Sequence, residues 1–385
     1  MLNTKNVGQG TNFIMNEKSM SDTLKYNIAL SLLPNIGDIL AKRLVSYCGS
    51  AENIFKEKKS MLEKIPGIGS FHAAAAQNHS LFDVAEAEIK FIEKNNIKAL
   101  YYLDKDYPKR LLHCEDSPIL LYYKGNADLN AQKIISVVGT REATEYGKEL
   151  TDKLINDLAP YNTTIVSGLA YGIDIQAHKA ALDNKLPTIC GLAHGLDKIY
   201  PAIHKTVAER MLENGAWLSD FKSGTIPNRE NFPRRNRIVA GISDATIVIE
   251  SKENGGSLIT ADIANSYNRD VFAFPGRVND AHSAGCNNLI KQHKAALVQS
   301  ANDVIHLLGW EQTKKANQII QKQLFVELSA DEEQLVAILK NKESVNVDDI
   351  CLLSKMPMSK VSSALLTLEF SGIVKSLPGK IYKLN

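Results

Sequence analysis

The middle of the chain alternates short, wholly apolar runs with longer stretches whose apolar residues recur three and four positions apart. Ile134–Val138, Thr163–Ser167, Thr188–Leu192, Ala216–Ser219, Ala245–Glu250 and Val271–Phe274 carry the first pattern, which belongs to strands covered on both faces. Thr144–Leu158, Ile173–Asp183, Ile203–Glu213, Arg235–Ile242 and Ser257–Tyr267 carry the second and predict helices between those strands. The alternation predicts an α/β fold built on a doubly wound, parallel sheet. Ligands of such sheets sit beyond the carboxyl ends of the strands. The loops beginning at Gly139, Gly168, Gly191, Asp220, Ser251 and Pro275 are therefore expected to share one rim.

The flanks read differently. Leu33-Pro34-Asn35-Ile36-Gly37 with Ala41, and Ile65-Pro66-Gly67-Ile68-Gly69 with Ala73, are two copies of one pattern set thirty-two residues apart. Each places Pro and Gly in a tight turn between helices, where glycine lets the backbone amides of the next helix approach a phosphate. The pattern resembles the helix-hairpin-helix motif, and both DNA contact and simple packing stay open as its use. A helix over Phe82–Asn95 and strands over Lys98–Leu103 and Ile119–Tyr123 lead into the sheet. Downstream, Ser329-Ala330-Asp331-Glu332 is a capping box opening one helix, Val347–Ser354 and Ser359–Phe370 follow as two more, and Ile373–Leu377 and Lys380–Leu384 flank a Pro378-Gly379 turn. Three helices and a terminal hairpin are the winged-helix order. The third helix carries Lys360 and Glu369 and almost no other charge, so groove reading and protein contact both stay open.

These patterns divide the chain into a disordered leader at 1–20, a helical module (helix-hairpin-helix, SAM-like) at 21–80, the α/β domain at 81–310, a polar linker at 311–328 and a winged-helix-like domain at 329–385. The leader is polar and lacks the apolar run of a signal peptide, and no stretch approaches eighteen continuous apolar residues. Five scattered cysteines without a Cys-x-x-Cys pair speak against a disulfide frame and a zinc site. A protein of the reducing cytoplasm, without a membrane partner, is expected.

Overall charge adds little, because 45 Lys and Arg face 43 Asp and Glu. Its distribution adds more. Lys222, Arg229, Arg234, Arg235 and Arg237 fall within sixteen residues beside a single acid, Glu230, and Phe232 stands among them. Arginine forks grip phosphates and a phenyl face stacks a base, so this stretch fits a single-stranded nucleic acid; the alternative is a helix start held in an ion-pair network. Arg234 is expected to be no more than a solvated neighbour, and Ile238–Gly241 a buried anchor. Gly139-Thr140-Arg141 lacks the G-x-G-x-x-G fingerprint, so no nicotinamide, flavin or other cofactor is expected, yet the Thr140 hydroxyl and the Arg141 fork suit an anion. The competing use of Arg141 is an ion pair with Glu142 or Asp174. Ser167-Gly168 form the next strand-to-helix corner without a G-x-S-x-G elbow, and His178, His194 and His204 read as core residues. Asn254-Gly255-Gly256-Ser257 make an amide nest suited to an anion. No catalytic constellation and no metal-ligand spacing stands out, and a binding protein is expected over an enzyme.

Gly139-Thr140-Arg141, Ser167-Gly168-Leu169-Ala170-Tyr171-Gly172-Ile173-Asp174 with Ala177-His178, Gly195-Leu196-Asp197 with Tyr200-Pro201, Phe232-Pro233 with Arg235-Asn236-Arg237-Ile238-Val239-Ala240-Gly241, Gly256-Ser257-Leu258-Ile259-Thr260-Ala261 and Pro275-Gly276 closely resemble the DNA processing protein A family, DprA or Smf. The resemblance spans about Asp106 to Trp310. It implies an extended Rossmann-like domain that binds single-stranded DNA, shields incoming strands, loads the RecA recombinase during natural transformation and forms a homodimer. It places the pocket on Thr140, Arg141, Arg229 and Phe232. With the nest and the rest of the basic loop, the expected DNA-binding set is Gly139, Thr140, Arg141, Ser167, Gly168, Arg229, Phe232, Arg235, Asn236, Arg237, Asn254, Gly255, Gly256 and Ser257. Arg229 stands where the family carries lysine, and Ser219-Asp220-Phe221-Lys222 replaces its usual Ser-Glu-x-Pro. The rival reading is a nucleotide-processing enzyme of related fold, of the nucleoside monophosphate phosphoribohydrolase type.

Overall fold

The computed structural model describes residues 22–78, 80–311, 328–340, 342 and 344–385. The leader expected at 1–20 and all but the two end residues of the linker expected at 311–328 lie outside them.

Among the described residues, nine strands form one sheet: β1 (Lys98–Tyr101), β2 (Leu120–Gly125), β3 (Ile134–Val138), β4 (Thr164–Ser167), β5 (Thr188–Gly191), β6 (Ala216–Ser219), β7 (Ala245–Val248), β8 (Asp270–Ala273) and β9 (Ala296–Leu297). Their order is β1-β2-β6-β5-β4-β3-β7-β8-β9, with β3 to β9 parallel and β1 and β2 antiparallel at one edge. Strand order reverses between β3 and β7, which makes the crevice above that pair the topological switch point. Helices Glu145–Leu158, Ile173–Asp183 and Ala301–Leu307 pack on one face, through Leu154, Ala177 and Val304. Helices Asn231–Ile242, Gly256–Ser266 and Ala284–Lys291 pack on the other, through Ile238, Ala261 and Leu289.

Two boundaries differ from the sequence expectation for identifiable reasons. The run expected to extend to Glu250 leaves the sheet at Val248, because the Glu250 carboxylate turns to the start of the helix Glu145–Leu158. The helix expected from Arg235 begins at Asn231, since Pro233 falls in the first turn, where a helix leaves its N–H groups unpaired in any case. The helices Ala284–Lys291 and Ala301–Leu307 and the short β9 were not legible as elements in the sequence.

The internal repeat is real in the backbone. Gly37 and Gly69 precede their helices with nearly equal dihedrals (φ −78°, ψ 174° and φ −82°, ψ 177°), and Asn35 and Gly67 both take positive φ, 60° and 81°. The copies have different neighbours. In the first, Asp38 accepts a hydrogen bond from Ile119 N at 2.9 Å and pairs with Arg237 at 2.9 Å, while Lys42 Nζ reaches Ser117 Oγ at 2.6 Å. The first hairpin therefore packs against the sheet domain through Asp38 and Lys42. The helical module shares a continuous core with the antiparallel edge of the sheet, where Leu30, Leu44 and Ile54 join Tyr122 and Trp217.

The C-terminal unit has its own core of Leu335, Leu339, Ile350, Val361, Leu365 and Val374. Ser329 and Glu332 cap its first helix, Ala330–Lys340, as the capping box predicts. Helices Val347–Ser354 and Met358–Phe370 follow, and β10 (Val345–Asn346), β11 (Val374–Leu377) and β12 (Ile381–Leu384) complete a winged helix in the order β10-β12-β11. Arg269 Nη1 donates to Pro378 O at 2.8 Å and holds the hairpin turn against the sheet domain. Among the described residues no helix is long and apolar enough to cross a membrane.

Candidate nucleic-acid interface

The loops after β3 to β8 gather at one edge of the sheet, because those strands run parallel. The loop after β3 lies at their centre. Thr140 N donates to Glu250 O at 2.8 Å, and Thr140 O accepts from Ile173 N at 3.2 Å, so the backbone beneath Arg141 is fixed from both sides. Gly172, at φ +75°, is the residue that allows this approach: a Cβ there would lie 2.2 Å from Thr140 O.

The start of the helix Glu145–Leu158 lies at the switch point, where a phosphate would be the usual guest. Here the protein supplies the anion itself. Glu250 is buried, accepts from Thr144 N at 3.0 Å and bonds Thr144 Oγ1 at 2.5 Å, and Gly147 leaves room for it, since a Cβ would fall 2.3 Å from Glu250 Oε2. The anion position suggested by the sequence for this turn is thus filled, and what remains open is the Arg141 side chain.

Arg141 is exposed and makes no ion pair among the described residues; Glu142 pairs with Lys252 at 2.6 Å instead, and Asp174 lies against Arg235. Its guanidinium carbon stands 5.4 Å from the centroid of the Phe232 ring, and the Tyr200 ring lies 6.2 Å from Phe232 on centroids. A cation and two rings therefore converge from two loops and the first turn of a helix. Arg229, three residues ahead of Phe232, is exposed and also without a carboxylate partner among the described residues.

The loop that carries Arg229 is held by three acids. Asp220 takes Arg234 Nε at 2.9 Å and Arg237 Nη2 at 2.6 Å, Glu88 accepts from Ser223 N at 2.9 Å and bonds Ser223 Oγ, and Asp197 accepts from Gly224 N at 2.9 Å. Arg234 is exposed like Arg229, yet its guanidinium is tied to Asp220 and lies 4.9 Å from the Phe221 ring centroid. Sequence reading missed Glu88, because nothing in a helical repeat of acids marks the one that reaches across 135 positions to a loop.

Several expected contact residues face inward. Arg235 is buried, and its Nη1 donates to Gly191 O at 2.5 Å and to Gly168 O, which ties the ends of β4 and β5 together. Beside it, burial pushes the Asp174 carboxyl up while the Arg235 charge and the amides of Ala170 and Gly168 hold it down. Asn236 is half-buried against Arg235 Nε at 3.2 Å. Arg237 is buried in its pairs with Asp220 and Asp38. Ser167 is buried and donates to Val137 O at 2.7 Å, and Gly168 is buried beside it. Ser257 is buried with its hydroxyl on Ser251 Oγ at 2.9 Å, whereas Asn254 and Gly256 are exposed and Gly255 is half-buried. The ion-pair reading of the basic stretch therefore holds for Arg234 and Arg237, the carbonyl-bound Arg235 is internal, and the phosphate reading is left to Arg229 and Arg141.

The three histidines read as core residues, His178, His194 and His204, are buried. His178 Nδ1 lies 2.7 Å from Thr188 Oγ1, and burial, helped by the Arg235 charge, pushes its imidazole down to about 3. His194 and His204 turn Nδ1 to the carbonyls of Gly195 and Leu169, each at 2.9 Å.

Residues 98–309 match the family described as DNA recombination-mediator protein A, and residues 323–380 match the DprA winged helix domain. The chain is 32% identical over 395 residues to Protein Smf of Synechocystis sp., covering 93% of this chain and 98% of that protein. It superposes on the X-ray structure of DNA processing protein A from Streptococcus pneumoniae with a TM-score of 0.60 and 34% identity, over 73% of this chain and 97% of that one. A second match, DNA processing protein A from Helicobacter pylori, has a TM-score of 0.51 and 31% identity over 56% of this chain and 96% of that one, and that structure concerns the protein's single-stranded DNA binding mode.

Proposed function

We propose that this chain, which belongs to the DNA recombination-mediator protein A family, binds single-stranded DNA across the rim of its sheet domain and acts there without turnover. The observation that carries the reading is the Arg141 guanidinium, without an ion pair among the described residues, over the Phe232 ring, with Arg229 exposed on the adjoining loop. Together they offer phosphate contacts and a base-stacking face in one place, the combination that single-strand sites use without reading sequence. Asn254, Gly255 and Gly256 extend the contact along the rim, and the buried Arg235, Arg237, Ser167 and Ser257 hold its walls in register.

A binding role is favoured over nucleotide hydrolysis because the groups that would do chemistry are engaged elsewhere. Ser167 and His178 are buried and bonded to Val137 O and Thr188 Oγ1, and Glu250 occupies the switch-point helix start. In this proposal residues 81–310 take the strand, 21–80 and 329–385 serve as flanking units, and the protein works in the cytoplasm. Family membership further supports a homodimer that shields strands and loads RecA recombinase onto them during natural transformation. The winged helix suits protein contact better than a DNA groove: its helix Met358–Phe370 turns Leu366 and Phe370 outward, and its Lys360 is paired with Asp331 at 2.7 Å.

A gel shift of the full chain with single-stranded and duplex DNA of equal length tests the reading. Retardation of the single strand, lost on Arg141→Ala and Phe232→Ala, is expected; equal retardation of wild type and both variants would sink it.

A further inference from the structure

We propose that Tyr200 and Tyr171 extend the Phe232 face into an aromatic collar that takes two consecutive bases of a single strand. The inference rests on the single-stranded DNA reading above and adds a second base position to it.

Named contacts link both tyrosines to Phe232 and to the Arg141 loop. Phe232 lies between the Arg141 guanidinium, 5.4 Å from its centroid, and the Tyr200 ring, 6.2 Å away and inclined by 50°. Four residues beyond Tyr200, His204 meets Tyr171 edge-on at 5.0 Å, and its Nδ1 is fixed 2.9 Å from Leu169 O on the loop that carries Tyr171. From Tyr171 the chain passes through Gly172, pressed against the carbonyls of Thr140 and Arg141, and the circuit returns to its start. Both tyrosines remain about half exposed, at 47% for Tyr200 and 48% for Tyr171.

Chemistry narrows the use of such a collar. Neither tyrosine is a core residue, and Tyr200 adds exposed aromatic surface beside Phe232 and Arg141, a cation with no carboxylate partner among the described residues, which marks a contact site. A tyrosine offers a flat apolar face with a hydroxyl at the wet end, which suits a base stacked beside its own phosphate. Every base has such a face, so the collar adds affinity without a sequence code. The inclination between Phe232 and Tyr200 suits bases splayed from one another, as an unpaired strand permits and a stacked duplex does not.

The test compares binding of the full chain to oligo-dT and to an abasic oligomer of the same length, followed by fluorescence anisotropy. The ratio of the two affinities isolates base contact from phosphate contact. Tyr200→Ala and Tyr171→Ala are expected each to shrink that ratio by roughly 5- to 140-fold, the worth of one stacked base. Tyr200→Phe should keep it, and Arg229→Ala should weaken both ligands while leaving it unchanged. Should Tyr200→Ala disturb folding, Tyr200→Leu against Tyr200→Phe decides the point, since both preserve bulk and only one preserves the ring. An unchanged ratio in the alanine and leucine variants, with wild type still binding oligo-dT, overturns the collar and leaves the single-strand reading standing. Failure of wild type to bind oligo-dT overturns that reading and the collar with it.

Discussion

The Arg141 guanidinium and the Phe232 ring, 91 positions apart in sequence, meet at 5.4 Å. Their contact joins the loop after β3 to the first turn of the helix Asn231–Ile242. A cation over a ring at such a half-open site is worth about 0.5–1 kcal/mol. In the proposed complex each partner also contacts the strand in its own way.

From this follows a double-mutant cycle with a distinctive outcome. Phe232→Ala is expected to weaken single-strand binding by about one to two factors of ten, since a stacked base is worth about 1–3 kcal/mol, and to leave the salt dependence unchanged. Arg141→Ala should weaken binding and lower the slope of log K against log salt by about 0.7, the loss of one phosphate contact on a single strand. Because ring and guanidinium touch, the double variant should lose less than the product of the two; anisotropy titrations over a salt series read all three quantities.

Arg235 and Arg229 should separate stability from binding. Arg235→Ala strips the Gly168 and Gly191 carbonyls of their donor and leaves Asp174 without its counter-charge in the interior, at an expected cost of about 3–5 kcal/mol in denaturant unfolding. Arg229→Ala, at an exposed position without a carboxylate partner among the described residues, should leave the unfolding midpoint where it is and still reduce affinity. A matching loss of stability in both variants would contradict the division between buried scaffold and exposed contact.

The buried His178 predicts a pH dependence of stability. Its folded-state value of about 3 lies below the unfolded value near 6.5, so the unfolded chain binds the proton first as pH falls. The contribution is complete above pH ~6.5 and shrinks as the solution is acidified toward ~3, by about 2 kcal/mol at pH ~5. His178→Asn keeps a donor near Thr188 Oγ1 and removes the titration. The difference between wild-type and variant unfolding free energies should therefore vary with pH over that window and be flat above it.

Removal of residues 328–385 should leave single-strand affinity unchanged. The winged helix has its own core, and the exposed cations and rings of the rim all lie in the sheet domain. Arg269 would lose Pro378 O and keep Arg110 O, at 2.8 Å, so the sheet domain should still unfold cooperatively. Loss of binding on truncation would place part of the site in the winged helix.

What the sequence determined by itself was the scaffold. Strands buried on both faces are apolar throughout, and the helices between them are amphipathic, so β3 and β6 and the helices Ile173–Asp183 and Val347–Ser354 were legible to the residue. The repeated Pro-Asn-Ile-Gly and Pro-Gly-Ile-Gly turns were legible too, because their backbone conformation is local. Composition marked the basic stretch but could not rank its arginines. Arg235 and Arg237 face inward and Arg229 outward because of acids and carbonyls supplied by Asp38, Gly168, Gly191 and Asp220, all remote in sequence. The same holds for Glu250, which reads as the end of a strand and acts as the anion at a distant helix start. A guanidinium has the same formula in water and in a core; only the tertiary structure decides which of its neighbours compensate the charge, and so which arginines remain free for a phosphate.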